Sequence, residues 1–392
     1  LFGFYPGLIE KPLDENTKSN KIFNLKGDNK MSERKFNFNP GPAMLPLEVL
    51  EKAQAEFINY KGSGMSILET SHRHKNFEEV IFGAEALLKE LLNVPENYRV
   101  LFIGMGATGQ FDMIPMNYTV DGKVGNYVVT GSFASKAYKE GAKVGPAHIA
   151  ATSEGDKYAR IPSKDEIKLS ENPAFLHITS NNTIYGTQWK EFYDFGDLPQ
   201  IADMSSDILS KKFDVSKFAL IYAGAQKNLG PSGVAIIIIR DDMIEASNQK
   251  LPVMLKYDTY AKNDSLYNTP STFTIYMVKL VLEWVKGLGG LDAVEKINEK
   301  KAAIIYDTIY NSNGFYKGNA QKEFRSLMNI TYKLPTEDLD KLFVAQAAEI
   351  GLAGLKGHRE TGGIRASVYN AMPVAGCEKL AQFMVDFQKK NA

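Results

Sequence analysis

Short apolar runs that stop at glycine or at a small polar residue recur through the middle of this chain, with amphipathic stretches between them. Val100-Leu101-Phe102-Ile103 stops at Gly104, Tyr127-Val128-Val129-Thr130 at Gly131, and Ala174-Phe175-Leu176-His177-Ile178 at Thr179-Ser180-Asn181. Gln200-Ile201-Ala202 stops at Asp203, Phe218-Ala219-Leu220-Ile221-Tyr222 at Ala223-Gly224, and the run from Val234 to Ile239 follows. Phe77 to Leu92 and Ala134 to Lys143 lie among them with a helical pattern. Continuous apolar runs this short suit strands buried on both faces, and strands alternating with helices build an α/β fold with a mainly parallel sheet. Ligands of such sheets bind beyond the carboxyl ends of the strands. The residues at which these runs stop are therefore the ones to examine for chemistry.

The C-terminal part has a different rhythm. Helical patterns cover Leu291 to Tyr310, Glu337 to Ile350 and Glu378 to Lys389, with a strand at Asn329 to Tyr332. The 392 residues exceed what one hydrophobic core usually supports. We read a large domain over residues 31–290 and a smaller α+β domain over residues 291–392. Residues 1–30 show no clear period and carry the polar run Asp14-Glu15-Asn16-Thr17-Lys18-Ser19-Asn20. Met31-Ser32-Glu33-Arg34-Lys35 then reads as a natural start. Residues 1–30 are expected to be an expression-derived or upstream extension, the alternative being a genuine N-terminal arm.

Lys plus Arg and Asp plus Glu both number 46, so nothing points to nucleic acid or a polyanionic surface as the main partner. Any anion must be held by a local cluster of basic residues. The single cysteine, Cys377, excludes an intramolecular disulfide, argues against a Cys-based metal site and fits a reducing cytoplasm. No metal is expected. The longest apolar stretches, such as Val234 to Ile239, fall far short of the ~20 residues of a membrane helix.

Three strand ends carry residues with chemical potential. Gly104-Met105-Gly106-Ala107-Thr108-Gly109 follows a strand and precedes the helical segment Gln110 to Met116. Small residues there let backbone N–H groups at a helix N-terminus approach a phosphate. A dinucleotide site would also need an acid about 20 positions on, yet the next strand ends in Val129-Thr130-Gly131; a simple turn and a phosphate cradle for another cofactor remain. Asp203 closes a buried strand, where a carboxylate is costly without a partner; the bland alternative is a helix N-cap. Lys227 lies in the short connection Ala225-Gln226-Lys227-Asn228-Leu229-Gly230-Pro231-Ser232-Gly233 between two buried strands. Burial lowers a lysine pKa and suits it to Schiff-base chemistry, whereas most lysines are simply solvated. Together the three match what pyridoxal 5'-phosphate (PLP) needs: backbone donors for its phosphate, a carboxylate for its pyridine nitrogen and a lysine for its aldehyde.

At this point the chain resembles the phosphoserine aminotransferase family, fold-type I PLP enzymes of the class V aminotransferase group. The resemblance runs from Phe36 to the C-terminus. It rests on Phe38-Asn39-Pro40-Gly41-Pro42-Ala43, Ser71-His72-Arg73, Ala202-Asp203-Met204-Ser205-Ser206, Ala225-Gln226-Lys227-Asn228-Leu229-Gly230-Pro231, Tyr267-Asn268-Thr269-Pro270, Gly357-His358-Arg359 and Gly363-Ile364-Arg365-Ala366-Ser367. It implies a fold-type I PLP-transferase large domain. It also implies that Lys227 carries the cofactor and shuttles a proton, that Asp203 pairs with the pyridine nitrogen and that Ala107 and Thr108 cradle the phosphate. Thr183 and Gln226 are implied to contact the cofactor, and Phe133 takes the place of the ring-stacking aromatic, often Trp, of the family. Thr108 stands where some members place Arg. Asn268 and Thr269 are implied to reach the cofactor phosphate of a neighbouring subunit in a homodimer.

The implied substrates, L-glutamate and 3-phosphohydroxypyruvate, each carry two anionic groups. Arg geometry suits a bidentate grip on carboxylate and phosphate, and His72, Arg73, His358, Arg359 and Arg365 are the candidates. The products would be O-phospho-L-serine and 2-oxoglutarate, in serine and also vitamin B6 biosynthesis. The runner-up is another small-acid transaminase of the group, such as alanine–glyoxylate aminotransferase, against which the paired His-Arg motifs argue. A cysteine desulfurase would need a cysteine on a mobile loop, and Cys377 begins a helical pattern. A non-catalytic nucleotide-binding module would rest on the glycine string alone.

Overall fold

The computed structural model describes residues 34–392, so the expectation for residues 1–30 lies outside the described part. Seven strands build the main sheet: β1 (Tyr98–Ile103), β2 (Val124–Val129), β3 (Ala147–Thr152), β4 (Pro173–Thr179), β5 (Gln200–Asp203), β6 (Leu220–Gly224) and β7 (Ala235–Arg240). Their spatial order is β1-β7-β6-β5-β4-β2-β3. β7 pairs antiparallel with both β1 and β6, while the other neighbours pair in parallel. The mainly parallel sheet expected from the apolar runs is thus present. Its central strands β5 and β6 are buried along their whole length, which is why they read as unbroken apolar runs.

Helices flank the sheet. α1 (Lys75–Leu92), α2 (Thr108–Tyr118), α3 (Ser132–Val144) and α4 (Thr272–Gly287) carry most of that cover. One core on the α1 and α4 face includes Phe77, Leu88, Ile236, Ile238 and Val281. Another, against α2 and α3, includes Phe111, Ile114, Ala137, Ile237 and Tyr222. Alternate residues of β7 therefore serve opposite faces. α2 and α3 start directly beyond β1 and β2, so their N-terminal N–H groups gather at the carboxyl end of the sheet.

The later chain forms α5 (Gly290–Tyr310), α6 (Glu337–Glu349) and α7 (Val374–Asn391) around a three-stranded antiparallel sheet of β8 (Lys317–Gly318), β9 (Asn329–Lys333) and β10 (Ile364–Ser367). A third core joins Phe38, Ile305, Ile330, Phe343, Ala366 and Phe387. The first turn of α5, with Leu291 and Val294, packs into the core of the large sheet, and its later residues into the third core. Cys377 sits in the first turns of α7, fully buried. Among the described residues no helix is long and apolar enough to cross a membrane, and no cluster of potential metal ligands is found.

Candidate active site

Register puts three strand ends side by side. Thr179 of β4 pairs with Asp203 of β5, and Asp203 with Tyr222 of β6. Above this row lies a cavity of about 560 Å³ whose lining includes Ala107, Thr108, Phe133, Thr183, Asp203, Gln226, Lys227, His358 and Arg365. Nine residues separated by as much as 258 positions in the chain (365 − 107) are thus brought to one space.

Asp203 is buried at the floor, and its Oδ1 accepts a hydrogen bond from the Ser205 backbone N–H at 2.9 Å. Residues 205–209 form turns and no helix follows, so Asp203 caps no helix. Ser205 Oγ in turn accepts from Gly224 N–H at 3.0 Å, fixing the end of β5 to the end of β6. Burial pushes the Asp203 carboxyl up from its ordinary value, against the opposing pull of Ser205 and the Lys227 charge. A buried carboxylate with that cost suits a cationic partner set above it.

Lys227 lies in the turn between β6 and β7 and is half-buried, with its surface facing the cavity. Its Nζ donates to Thr183 Oγ1 at 2.9 Å and stands 5.4 Å from the centre of the Phe133 ring. Burial pulls its pKa down to about 8; Asp203 pulls it up and Arg365 pushes it down. The lysine is therefore enclosed rather than solvated. Gly41 passes close by: a Cβ there would meet Lys227 Cγ at 3.3 Å, and its φ of +136° disfavours a side chain in any case.

The glycine string forms a turn, with Met105 at φ 69° and Gly106 at φ 61°, that delivers Ala107 and Thr108 to the N-terminus of α2. Both residues line the cavity, and the first backbone N–H groups of a helix, unpaired within it, favour an anion. Arg365 of β10 also lines the cavity; it is buried, and its Nε has no hydrogen-bond partner. Thr179 Oγ1 is also buried without one. These orphaned donors, the recessed lysine, the floor carboxylate and the helix N-terminus fit an anionic, phosphorylated aldehyde cofactor such as PLP. His358 sits at the rim, where burial lowers its pKa while Glu360 raises it.

Five expected residues do not line this cavity. Arg359 is exposed next to His358. Asn268 and Thr269 line an adjoining cavity of about 280 Å³ that shares Met105 and Gly233 with the first. His72 belongs with them: its Nδ1 lies 3.0 Å from Thr269 Oγ1, while its Nε2 is buried without a partner. Arg73 follows, exposed.

Sequence reasoning passed over four residues near the cavity mouth. Ser132 Oγ and Tyr185 Oη both donate to Glu360 Oε2, Tyr185 at 3.2 Å. Lys136 Nζ lies 5.1 Å from the Phe133 ring centre. Ser132 and Glu360 fall inside or beside quoted motifs, but no local signal pairs residues 228 positions apart.

An enclosed lysine over a floor carboxylate at the carboxyl end of an α/β sheet defines a PLP-type enzyme site. The family model described as Aminotransferase class-V matches residues 35–380, and the chain belongs to that family. Within it the chain stands with the phosphoserine aminotransferases. That of Lysinibacillus sphaericus (strain C3-41) is 55% identical over 361 residues, which are 92% of this chain and 100% of that one. The solved phosphoserine aminotransferase from Bacillus circulans subsp. alkalophilus superposes at a TM-score of 0.91, with 55% identity over 92% of this chain and 100% of that one. A PLP-bound phosphoserine aminotransferase from Trichomonas vaginalis is 37% identical over 90% of this chain and 100% of that one, at a TM-score of 0.85.

Proposed function

We propose that this chain transfers an amino group between L-glutamate and 3-phosphohydroxypyruvate, giving O-phospho-L-serine and 2-oxoglutarate, with PLP held in the cavity around Lys227. The carrying observation is that one cavity holds an enclosed lysine, a buried carboxylate and a buried guanidinium with an unpartnered Nε. High identity to phosphoserine aminotransferases along nearly their whole length supports the same reading.

Bound there, PLP supplies the electron sink that acidifies the substrate Cα–H. Lys227 would carry the cofactor and move the proton; a pKa of about 8 leaves a usable fraction of neutral amine near neutral pH. Asp203 holds the ring nitrogen protonated. Ala107 and Thr108 would offer N–H groups to the phosphate, and Phe133, Thr183 and Gln226 would complete the cofactor's surroundings. Arg365 and His358 take an anionic end of the substrate, with Arg359 joining from the rim.

His72, Arg73, Asn268 and Thr269 act, in this proposal, on the site of a second copy in a homodimer. Support comes from the His72–Thr269 contact and the unpartnered His72 Nε2, which together describe a polar cluster incomplete in one chain. Arg359 and Arg365 belong to residues 291–392 and Lys227 to residues 31–290. Closure of one part on the other would bring the anion grip to the amine. The lone, buried Cys377 suits a reducing cytoplasm.

Steady-state rates with L-phosphoserine and with L-alanine as amino donors to 2-oxoglutarate test the reading. A strong preference for phosphoserine is expected. Equal rates would overturn it in favour of a small-acid transaminase.

A further inference from the structure

The loop of residues 357–363 carries His358, which lines the cavity around Lys227, and Glu360, an exposed carboxylate that lines a second cavity together with Tyr185. Its backbone bonds close on the loop itself: Gly357 N–H donates to Gly363 O, and Thr361 and Gly362 N–H both donate to His358 O. The side chain of Glu360 carries the loop across to other elements. Its Oε2 accepts from Ser132 Oγ, at the first residue of α3, and from Tyr185 Oη at 3.2 Å. Its backbone N–H donates to His358 Nδ1 at 3.3 Å, and its Oε1 lies 4.0 Å from the same nitrogen.

Basic groups in or beside the cavity surround it. His358 and Lys136 both hold the Glu360 carboxyl below its ordinary value, though the Ser132 hydrogen bond is the larger cause. His358 in turn feels Arg365, Arg359 and Lys136. Lys136 and Lys227 both lie against the Phe133 ring. Glu360 is exposed, but the hydroxyls of Ser132 and Tyr185 hold its carboxylate beside His358, near Lys136 and Arg365.

We propose that Glu360 is a specificity-determining residue: an internal carboxylate that an incoming doubly charged anion displaces from the rim, and that a singly charged one does not. The proposal rests on the reading of this cavity as the site of a transaminase for substrates with two anionic ends. A phosphate monoester carries about −1.5 to −2 charges near neutral pH and three strong acceptor oxygens. It can replace one carboxylate on His358 and the neighbouring cations. An amino acid with only its α-carboxylate leaves Glu360 in place, and its uncharged side chain gains nothing at the rim.

Glu360→Gln keeps the shape and the hydroxyl contacts while removing the charge, and Glu360→Ala removes both. Titration calorimetry of inorganic phosphate into the holoenzyme reads the effect without turnover. E360Q should bind phosphate about fivefold tighter than the wild type, the factor expected for one partly solvated charge at short range. The KM for L-phosphoserine should fall by a similar factor, the change lying in KM rather than kcat, and the preference for phosphoserine over alanine should shift with it. Unchanged or weaker phosphate binding in E360Q overturns the proposal. So does weaker binding in E360A alone, which would make Glu360 only a tether for the loop. Failure of the functional reading looks different: the wild type itself would then show no preference for phosphoserine, whatever phosphate binding does in the variants.

Discussion

Lys227 Nζ donates to Thr183 Oγ1 at 2.9 Å, so the amine is held on the cavity wall by a residue 44 positions earlier in the chain. Burial lowers its pKa from the ordinary 10.5 to about 8. With the folded value below the ordinary one, the neutral, nucleophilic fraction grows as pH rises through about 8. PLP-free protein should therefore regain its visible absorbance band faster with rising pH across that value and level off above it. Lys227→Ala should show no such band. A rate flat from about pH 6 to about pH 10 would contradict the assignment.

Asp203 separates activity from stability. Its carboxyl is buried, accepts from Ser205 N–H and is pushed up by burial. Asp203→Asn removes a charge that is costly in the PLP-free fold but that, on the proposed reading, would keep the cofactor's ring nitrogen protonated. Activity should fall by about 10²-fold or more, while the melting temperature of PLP-free protein holds or rises. A large loss of stability with activity retained would assign Asp203 to the fold alone.

Arg73 and Lys227 offer a test of the dimer. If Arg73 serves the neighbouring subunit, K227A and R73A homodimers are each inactive, but hybrids hold one site with both residues intact. Equal mixtures, dissociated and reassembled at random, should recover about one quarter of wild-type activity. No recovery, with hybrids shown to form by mass, would place Arg73 with the Lys227 of its own chain.

Lys301 is fully buried and donates to the carbonyls of Val368, Tyr369 and Asn370 at 3.1, 2.7 and 3.4 Å. These carbonyls follow β10, the strand that carries Arg365. Lys301→Met should cost about 2–4 kcal/mol in urea denaturation, because buried acceptors lose their donor. A variant as stable as the wild type would mean that water replaces the ammonium.

The elements were legible because their signals are local. Val234 to Ile239 shows its burial by composition, and Phe77 to Leu92 its helix by period; both match observed elements within a few residues. Asp203 and Lys227 stood out because a strand end and a tight connection between strands are places where such side chains need a reason. At Asp203 the N-cap alternative fell to tertiary context: Ser205 and Gly224 turn that segment away from a helix. At Lys227 the solvated alternative fell to Gly41, Thr183 and Phe133, which approach from other parts of the chain.

The sequence alone thus determined the α/β architecture and marked Asp203 and Lys227 as the strand-end acid and the inter-strand lysine to examine, since each follows from residue type at short range. Only the tertiary structure decided which of the basic candidate residues share a cavity. His358 and Arg365 line it, His72 sits instead on Thr269, and Glu360 turns its charge toward Ser132, Tyr185 and His358. Those meetings depend on packing between segments far apart in the chain, which no spacing of neighbouring residues encodes.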